Sequence, residues 1–357
     1  MRPENEEQLA DAIRAANGPL AIRGGGTRGI SVAGEALNTA GLTGIRLYEP
    51  GALTMVAGAG TPMADIETAL AEAGQMLPFE PYDLAGITGA AGQSTIGGVF
   101  ATNASGPRRV QVGAARDFLL GVRFVDGSGE VIKNGGRVMK NVTGYDLVKL
   151  MAGSYGTLGV LSEVSFKVLP KPERVGTLSA TVGTIDDAVA TMTTATSSPY
   201  DVSGAWYDPR QGVVTIRVEG FDGSVAYRLD RLGSLLARFG SWDVGQDDGA
   251  AGQLDFLEGS DGDIWRISCR PTDAPSLSAR LGNTARRYDW AGGRIWVVAP
   301  AGTDLRAQLG EYAGHATVIR GSAHPRFEPE QGGVARLSAG LRKKFDPRGI
   351  LNPGLMG

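Results

Sequence analysis

Residues 92–106 read GQSTIGGVFATNASG, a run of glycine, alanine and hydroxyl side chains around Ile96, Val99 and Phe100. Two physical situations call for such a run. A flat ring system lying against bare backbone needs small side chains and free N–H donors along its edge. A tightly packed loop and helix needs them only for close approach. Taken alone, the stretch leaves both open. Working outward, a second cluster lies upstream at 22–29, IRGGGTRG, where a strand runs into consecutive glycines. Successive N–H groups unshielded by side chains make a concavity suited to a phosphate or diphosphate. Arg23 and Arg28 would add charge and Thr27 a hydroxyl; a surface turn is the plainer alternative. Neither the dinucleotide fingerprint of a Rossmann unit nor a Walker loop fits, because no long amphipathic helix follows Gly29 and no Gly-Lys-Ser/Thr occurs there. Downstream, Lys140–Leu147 (KNVTGYDL) and Gly153–Val160 (GSYGTLGV) form a third cluster, which a helix cap and turn feeding a strand would also explain.

The 357 residues carry 54 glycines, 35 basic and 38 acidic side chains and a net charge of −3. Glycines that fall between apolar runs argue for backbone placed close to a ligand rather than for low complexity. No basic stripe points to nucleic acid, and no polybasic segment points to a membrane anchor. The opening MRPENEEQLADAIRAA is acidic and amphipathic, unlike a secretion signal, and no apolar run is long enough to span a bilayer. Direct membrane insertion is therefore not expected. One cysteine, Cys269, excludes a disulfide framework or an iron–sulfur cluster held by this chain alone, and fits a reducing, cytoplasmic setting. Two histidines, His315 and His324, argue against a histidine-rich metal site, and no metal is expected.

Periodicity places a helix over 4–17, a strand at 19–23, paired strands at 43–48 and 53–57, and a helix over 62–73 capped by Thr61 and ended by Gly74. A loop, short helix and loop follow at 84–106. A hairpin over 119–132 turns at Asp126-Gly127-Ser128-Gly129, a helical turn covers 145–151, and a strand runs over 160–169. Pro170 and Pro172 mark a boundary. Beyond it, strands at 176–182, 212–219, 264–269 and 294–298 alternate with helices at 185–196, 223–239, 273–282 and 303–313. This is a βαβ-like rhythm, with no internal repeat evident. A helix near 329–344 precedes the ending Phe345–Gly354.

In this order and spacing the three clusters resemble the FAD-binding domain of the vanillyl-alcohol-oxidase / p-cresol-methylhydroxylase (PCMH-type) flavoproteins. The resemblance runs through residues 1–170 and includes the Asp-Pro-x-Gly-Ile-Leu-Asn-Pro-Gly ending at 346–354. It implies an α+β fold with a two-subdomain FAD domain at 1–172, a smaller α+β cap at 173–325, and a tail at 326–357 returning to the FAD domain. It also implies that Arg23, Gly24, Gly25, Gly26, Thr27, Arg28 and Gly29 take the diphosphate. Gly92, Gln93, Ser94, Thr95, Ile96, Gly97, Gly98, Ala101, Thr102 and Gly106 would lie along the flavin and the rest of the FAD. Gly159 and Val160 would serve its adenosine end. Within the family, the phrase VMKNVTGYDLVKLMAGSYGTLGVLSEVSFKVLP (138–170) is similar to the FAD-binding subunits of bacterial glycolate oxidases.

Departures from the catalytic 2-hydroxy-acid dehydrogenases of that family narrow the role. Val99 stands where they carry Asn, Tyr155 where they carry Glu, and a His-bearing Gly-Glu-His-Gly segment is missing. With no His or Cys before residue 269, the resemblance implies non-covalent FAD. Its implied partners are a catalytic FAD subunit and an iron–sulfur subunit, with any membrane contact made through them. A stand-alone FAD dehydrogenase or oxidase, and an assembly protein that has lost the flavin, are the alternatives. Catalytic residues stay unassigned. His324 is a base or a hydrogen-bonded loop residue, His315 a surface or strand-edge residue, and Cys269 a small buried hydrophobe. Arg266 and Arg270 meet an anion or water, and Trp206, Tyr207 and Trp296 form core or a substrate box.

Overall fold

A computed structural model describes residues 1–137, 144–246 and 254–356. The chain forms two compact units. The first comprises Met1–Gly106, Ala114–Lys171 and Pro329–Gly357, the second Pro107–Gly113 and Pro172–Glu328. The Lys140–Thr143 part of the third glycine cluster, and the start of the 138–170 phrase, lie outside the described residues.

In the first unit the helix Glu6–Ala15 starts where the Asn5 side chain accepts the Gln8 N–H, with Glu6 and Glu7 in its first turn. It buries Leu9, Ala10 and Ile13, which pack in one cluster with Leu20, Leu37, Val125, Val160, Ile350 and Leu351. Strands β1 (Leu20–Arg23) and β2 (Glu35–Asn38) pair in parallel. The chain between them is the first glycine cluster. Next come β3 (Ile45–Glu49), β4 (Thr54–Gly58), the short β5 (Gln75–Met76), β6 (Leu119–Val125), β7 (Val131–Gly135), β8 (Val160–Lys167) and the short β9 (Leu169–Pro170). Five of these make an antiparallel sheet in the order β3-β4-β8-β6-β7. The β6–β7 turn closes as its sequence demands. One Asp126 carboxylate oxygen accepts the N–H groups of Ser128 and Glu130, and Gly129 takes φ +83°. In the central strand β8, Val160, Leu161, Val164 and Phe166 are all buried. Both faces are covered, which is why its alternation is imperfect.

The Thr61 cap is corrected. The helix is Met63–Glu72, its N-cap is Pro62, and no side chain caps it. The buried Thr61 hydroxyl instead donates to Gly58 O at 2.7 Å and accepts the Gly44 N–H at 2.9 Å. A nearer carbonyl and a loop amide claim the group before the helix can. Gly74 does end the segment, at φ +63°.

The second unit holds β10 (Arg174–Thr181), β11 (Val202–Asp208), β12 (Val213–Gly220), β13 (Asp243–Gly245), β14 (Asp263–Cys269), β15 (Ala285–Asp289), β16 (Arg294–Ala299) and β17 (Gly314–Arg320). They form one sheet in the order β13-β10-β12-β11-β15-β16-β14-β17. Every neighbouring pair is antiparallel. The βαβ-like rhythm therefore does not give adjacent parallel strands. Each crossover leaves room for an inserted strand, the split βαβ arrangement. The arrangement also occurs twice, strand–helix–strand–strand–helix–strand over 174–245 and again over 263–320. The two halves meet edge to edge at Tyr207–Tyr288. The internal repeat is thus real but topological, carried by element order. The helices Ile185–Thr196, Asp222–Leu236, Ala274–Arg280 and Leu305–Leu309 cover one face, over a core that includes Met192, Leu229, Trp265 and Tyr288.

Candidate functional site

In the first unit residues of all three glycine clusters line one cavity, the kind of concave site where small molecules and cofactors bind. The local reason is backbone contact. A Cβ on Gly25 would sit 1.6 Å from Gln93 O, and one on Gly92 would sit 1.8 Å from Gly25 O. The first two clusters lie main chain against main chain there, which only glycine permits. Gly97 approaches Ala59 in the same way, its Cβ position 2.6 Å from Ala59 O. Gly26 serves differently. At φ +75° its missing Cβ would meet nothing within 4 Å, so this turn faces open space. A bare cradle of this kind fits a diphosphate lying against amides.

The short helix Ile96–Ala101 forms the adjoining wall. Thr95 is its N-cap and accepts the Gly98 N–H at 3.3 Å, while the Thr102 hydroxyl donates back to Gly98 O at 2.8 Å. Both hydroxyls therefore hold the wall together. Arg28, buried, donates to Tyr82 O at 2.8 Å and reaches Ser94 Oγ at 3.5 Å, tying the first cluster to the second. Arg23 is exposed at the cavity.

Of the residues expected at the site, Arg23, Gly24, Gly25, Gly26, Thr27, Arg28, Ser94, Thr95, Gly97, Gly98, Ala101, Thr102, Gly159 and Val160 line the cavity. Gly29, Gly92, Gln93, Ile96 and Gly106 are not among its lining residues. Gly92 and Gln93 instead form the seam with Gly25. Gly106 donates its N–H to Phe79 O at 2.8 Å, and its Cβ position is blocked by Glu80 O at 2.0 Å. Ile22, Ile30, Thr39, Ala59, Tyr155, Gly156 and Leu161 complete the lining and were not foreseen. Ile22, Tyr155 and Gly156 lie inside quoted clusters. Thr39 and Ala59 carry no local signal, because strand pairing alone brings them in.

The remaining titratable candidates belong to the second unit. His324 Nε2 lies 3.2 Å from Gly302 O, and its ring packs near Trp265. His315 pairs with Ser268 across β14 and β17. His315 is exposed at the start of β17, yet the atoms packed around its ring strip part of its hydration, and this, and after it the charge of Arg266, holds its imidazole below the usual range. Burial pushes the Cys269 thiol up to about 12, with Asp273 adding to the shift, so this thiol is inert at neutral pH. Arg266 is half-buried and Arg270 exposed, while Trp206, Tyr207 and Trp296 are buried. Among the described residues no group of three or more His, Cys, Asp or Glu is placed to hold a metal ion. No helix among them is long and apolar enough to cross a membrane.

Residues 1–135 match the FAD binding domain family. The chain is 37% identical to the glycolate oxidase subunit GlcE of Escherichia coli (strain K12), across 98% of this chain and 95% of that one. It is 43% identical to the glycolate oxidase subunit GlcD of Bacillus subtilis, over 28% of this chain and 21% of that one. A D-lactate dehydrogenase of Archaeoglobus fulgidus is 30% identical over 53% of this chain and 42% of its own. Among solved structures, an alkyldihydroxyacetonephosphate synthase superposes with a TM-score of 0.72 at 15% identity, over 99% of this chain and 76% of that one. That likeness carries the fold alone, and it agrees with the expected α+β flavoprotein architecture. Identity sustained along nearly the whole of both chains places this protein in the family of the glycolate oxidase subunit GlcE, built on the FAD binding domain.

Proposed function

We propose that the chain is the FAD-binding subunit of a glycolate oxidase-type 2-hydroxy-acid dehydrogenase, relaying electrons rather than holding the main substrate site. The observation that carries this reading is the single cavity into which the glycine clusters converge. In it, amides of Gly24–Thr27 with Arg23 hold the diphosphate. Gly97, Gly98, Ala101 and Thr102 lie along the ring, and Gly159 and Val160 serve the adenosine end. Gly29, Gly92, Gln93, Ile96 and Gly106 keep these walls in place. Bound FAD would supply a two-electron acceptor able to return electrons singly; the protein sets its access and potential.

The cofactor is held without a covalent bond: no His or Cys lines the cavity among the described residues. The relay role draws support from Val99 and Tyr155, which stand where the catalytic 2-hydroxy-acid dehydrogenases that the chain resembles carry Asn and Glu. The partners are a catalytic flavin subunit and an iron–sulfur subunit, in the cytoplasm and with membrane contact through them. In this reading residues 1–172 form the flavin domain, 173–325 a cap and 326–357 the returning tail.

The test is to purify the full chain and record its absorption before and after acid precipitation, then to add glycolate or D-lactate alone. The expected result is a yellow protein that releases its flavin into the acid supernatant and is not bleached without partner subunits. Rapid bleaching by glycolate alone would replace the relay with a stand-alone dehydrogenase. A colourless chain that takes up no FAD would leave only an assembly role.

A further inference from the structure

The C-terminal segment runs back along β1. Leu20 donates its N–H to Ile350 O at 2.7 Å, and Asn352 donates its own to Leu20 O at 3.1 Å, forming a parallel bridge between Leu20 and Leu351. The next rung of that ladder belongs to Ile22. The main chain does not provide it, because it turns away at Asn352, which takes φ +43° ahead of Pro353. Asn is among the few non-glycine residues that adopt this conformation readily. Its side-chain amide supplies the rung instead. Oδ1 accepts the Ile22 N–H at 2.8 Å, Nδ2 lies 3.5 Å from Ile22 O, and Nδ2 donates to Tyr155 O at 2.8 Å.

The side chain is enclosed, with Asn352 only 2% exposed. A Cβ on Gly156 would come within 3.1 Å of Nδ2. Tyr155 is itself at φ +54° and donates its N–H to Ala101 O at 2.9 Å. One amide therefore joins Ile22, the residue before the Arg23–Gly29 loop, to Tyr155, and Tyr155 is joined to the end of the helix Ile96–Ala101. Ile22, Tyr155 and Ala101 all line the cavity, and Asn352 does not.

We propose that Asn352 is a positioning residue for the dinucleotide site, a clasp that sets the spacing between the diphosphate loop and the Tyr155 turn. The proposal rests on the FAD reading above. A side chain outside the cavity would then govern cofactor affinity by fixing where the amides of Gly24–Gly26 stand relative to Gly156 and Gly159. A tail that merely covers the core would stabilise the unit and leave the affinity of the folded protein unchanged.

Two variants of the full chain separate these cases. Asn352→Gly removes the amide and keeps the positive φ at no steric cost. Asn352→Asp keeps an acceptor for Ile22 and sets a carboxylate oxygen against Tyr155 O. Apoprotein is titrated with FAD by quenching of flavin fluorescence, the visible circular dichroism of the bound flavin is recorded, and apoprotein unfolding is followed by heat. The expected result is FAD binding about tenfold weaker or more in Asn352→Gly, from the lost buried hydrogen bonds. Visible dichroism should change, the apoprotein should still unfold cooperatively, and Asn352→Asp, which turns an acceptor on an acceptor, should bind FAD at least as weakly. The clasp is overturned if both variants bind FAD within about twofold of the unsubstituted chain with the same dichroism. It is overturned equally if the loss of binding only follows the unfolded fraction, or if neither variant folds. An unsubstituted chain that takes up no FAD is a different failure. It removes the functional reading itself, and the clasp with it.

Discussion

Gly25→Ala tests whether the cavity depends on main-chain contact between its first two walls. The added Cβ would lie 1.6 Å from Gln93 O and 2.5 Å from Gln93 C, where real Cβ atoms keep at least 3.0 Å. Both obstacles are backbone, so no rotamer change relieves them, and the loops must part by about 1.4 Å. A hydrogen bond of about 2.9 Å does not survive that displacement. Losing one or two amide contacts to a charged diphosphate costs about 2–4 kcal/mol, an affinity loss of roughly 30- to 700-fold. The assay is FAD titration of apoprotein, with thermal unfolding as the check on folding. Gly51→Ala is the control: its Cβ would meet nothing within 4 Å, and its φ is not in the left-handed region. It should change stability by no more than about 0.5 kcal/mol and leave FAD binding intact. A folded Gly25→Ala chain that binds FAD within about threefold of the unsubstituted one would refute the reasoning.

Glu219→Gln should destabilise the second unit by about 3–5 kcal/mol. Glu219 is buried, 2.5 Å from Arg108 and 3.8 Å from Arg217, so a neutral amide would leave two buried guanidinium groups facing it. Calorimetry showing a loss under about 1 kcal/mol would count against this. His315 should make stability pH-dependent. Although the residue is exposed, partial loss of hydration around its ring and the charge of Arg266 lower its pKa in the folded state, so the unfolded chain protonates first as pH falls. Its contribution is fully present above about pH 6.5 and is lost as pH falls through the folded pKa. Denaturant titrations of His315→Gln between neutral and mildly acid pH should therefore show a flatter profile than the unsubstituted chain.

The strands and helices that one stretch of sequence specifies by itself were readable. Apolar periodicity over 4–17 gives the first helix, and Asp126-Gly127-Ser128-Gly129 gives the hairpin, because each signal is local. The strands missed were Glu35–Asn38 and Gln75–Met76 in the first unit, and Val202–Asp208, Asp243–Gly245, Ala285–Asp289 and Gly314–Arg320 in the second. In Val202–Asp208 every residue is buried, so no alternation marks it. Ala285–Asp289 carries Arg286 and Arg287 through its middle, and Arg287 pairs with Asp208 at 2.5 Å. Such a strand reads as loop until its cross-strand partners are known. The duplicated topology was hidden for the same reason, since half of each repeat was missing from the reading.

The site divides along a similar line. Glycines that must exist for main chain to touch main chain leave a mark in the sequence, and Gly25 and Gly97 carry it. What the mark does not say is which side of the glycine the ligand occupies. Gly26 opens onto the cavity and Gly92 onto another backbone, yet both appear as the same letter in similar company. Only the partner across the missing Cβ tells them apart. Asn352 shows the opposite case. Its tail motif was noticed, but its reach to Ile22 and Tyr155 spans most of the chain, and only the fold brings these residues together. Residues that line the cavity are thus partly legible through composition, whereas a residue such as Asn352 that ties lining segments together becomes legible only once long-range pairing is known.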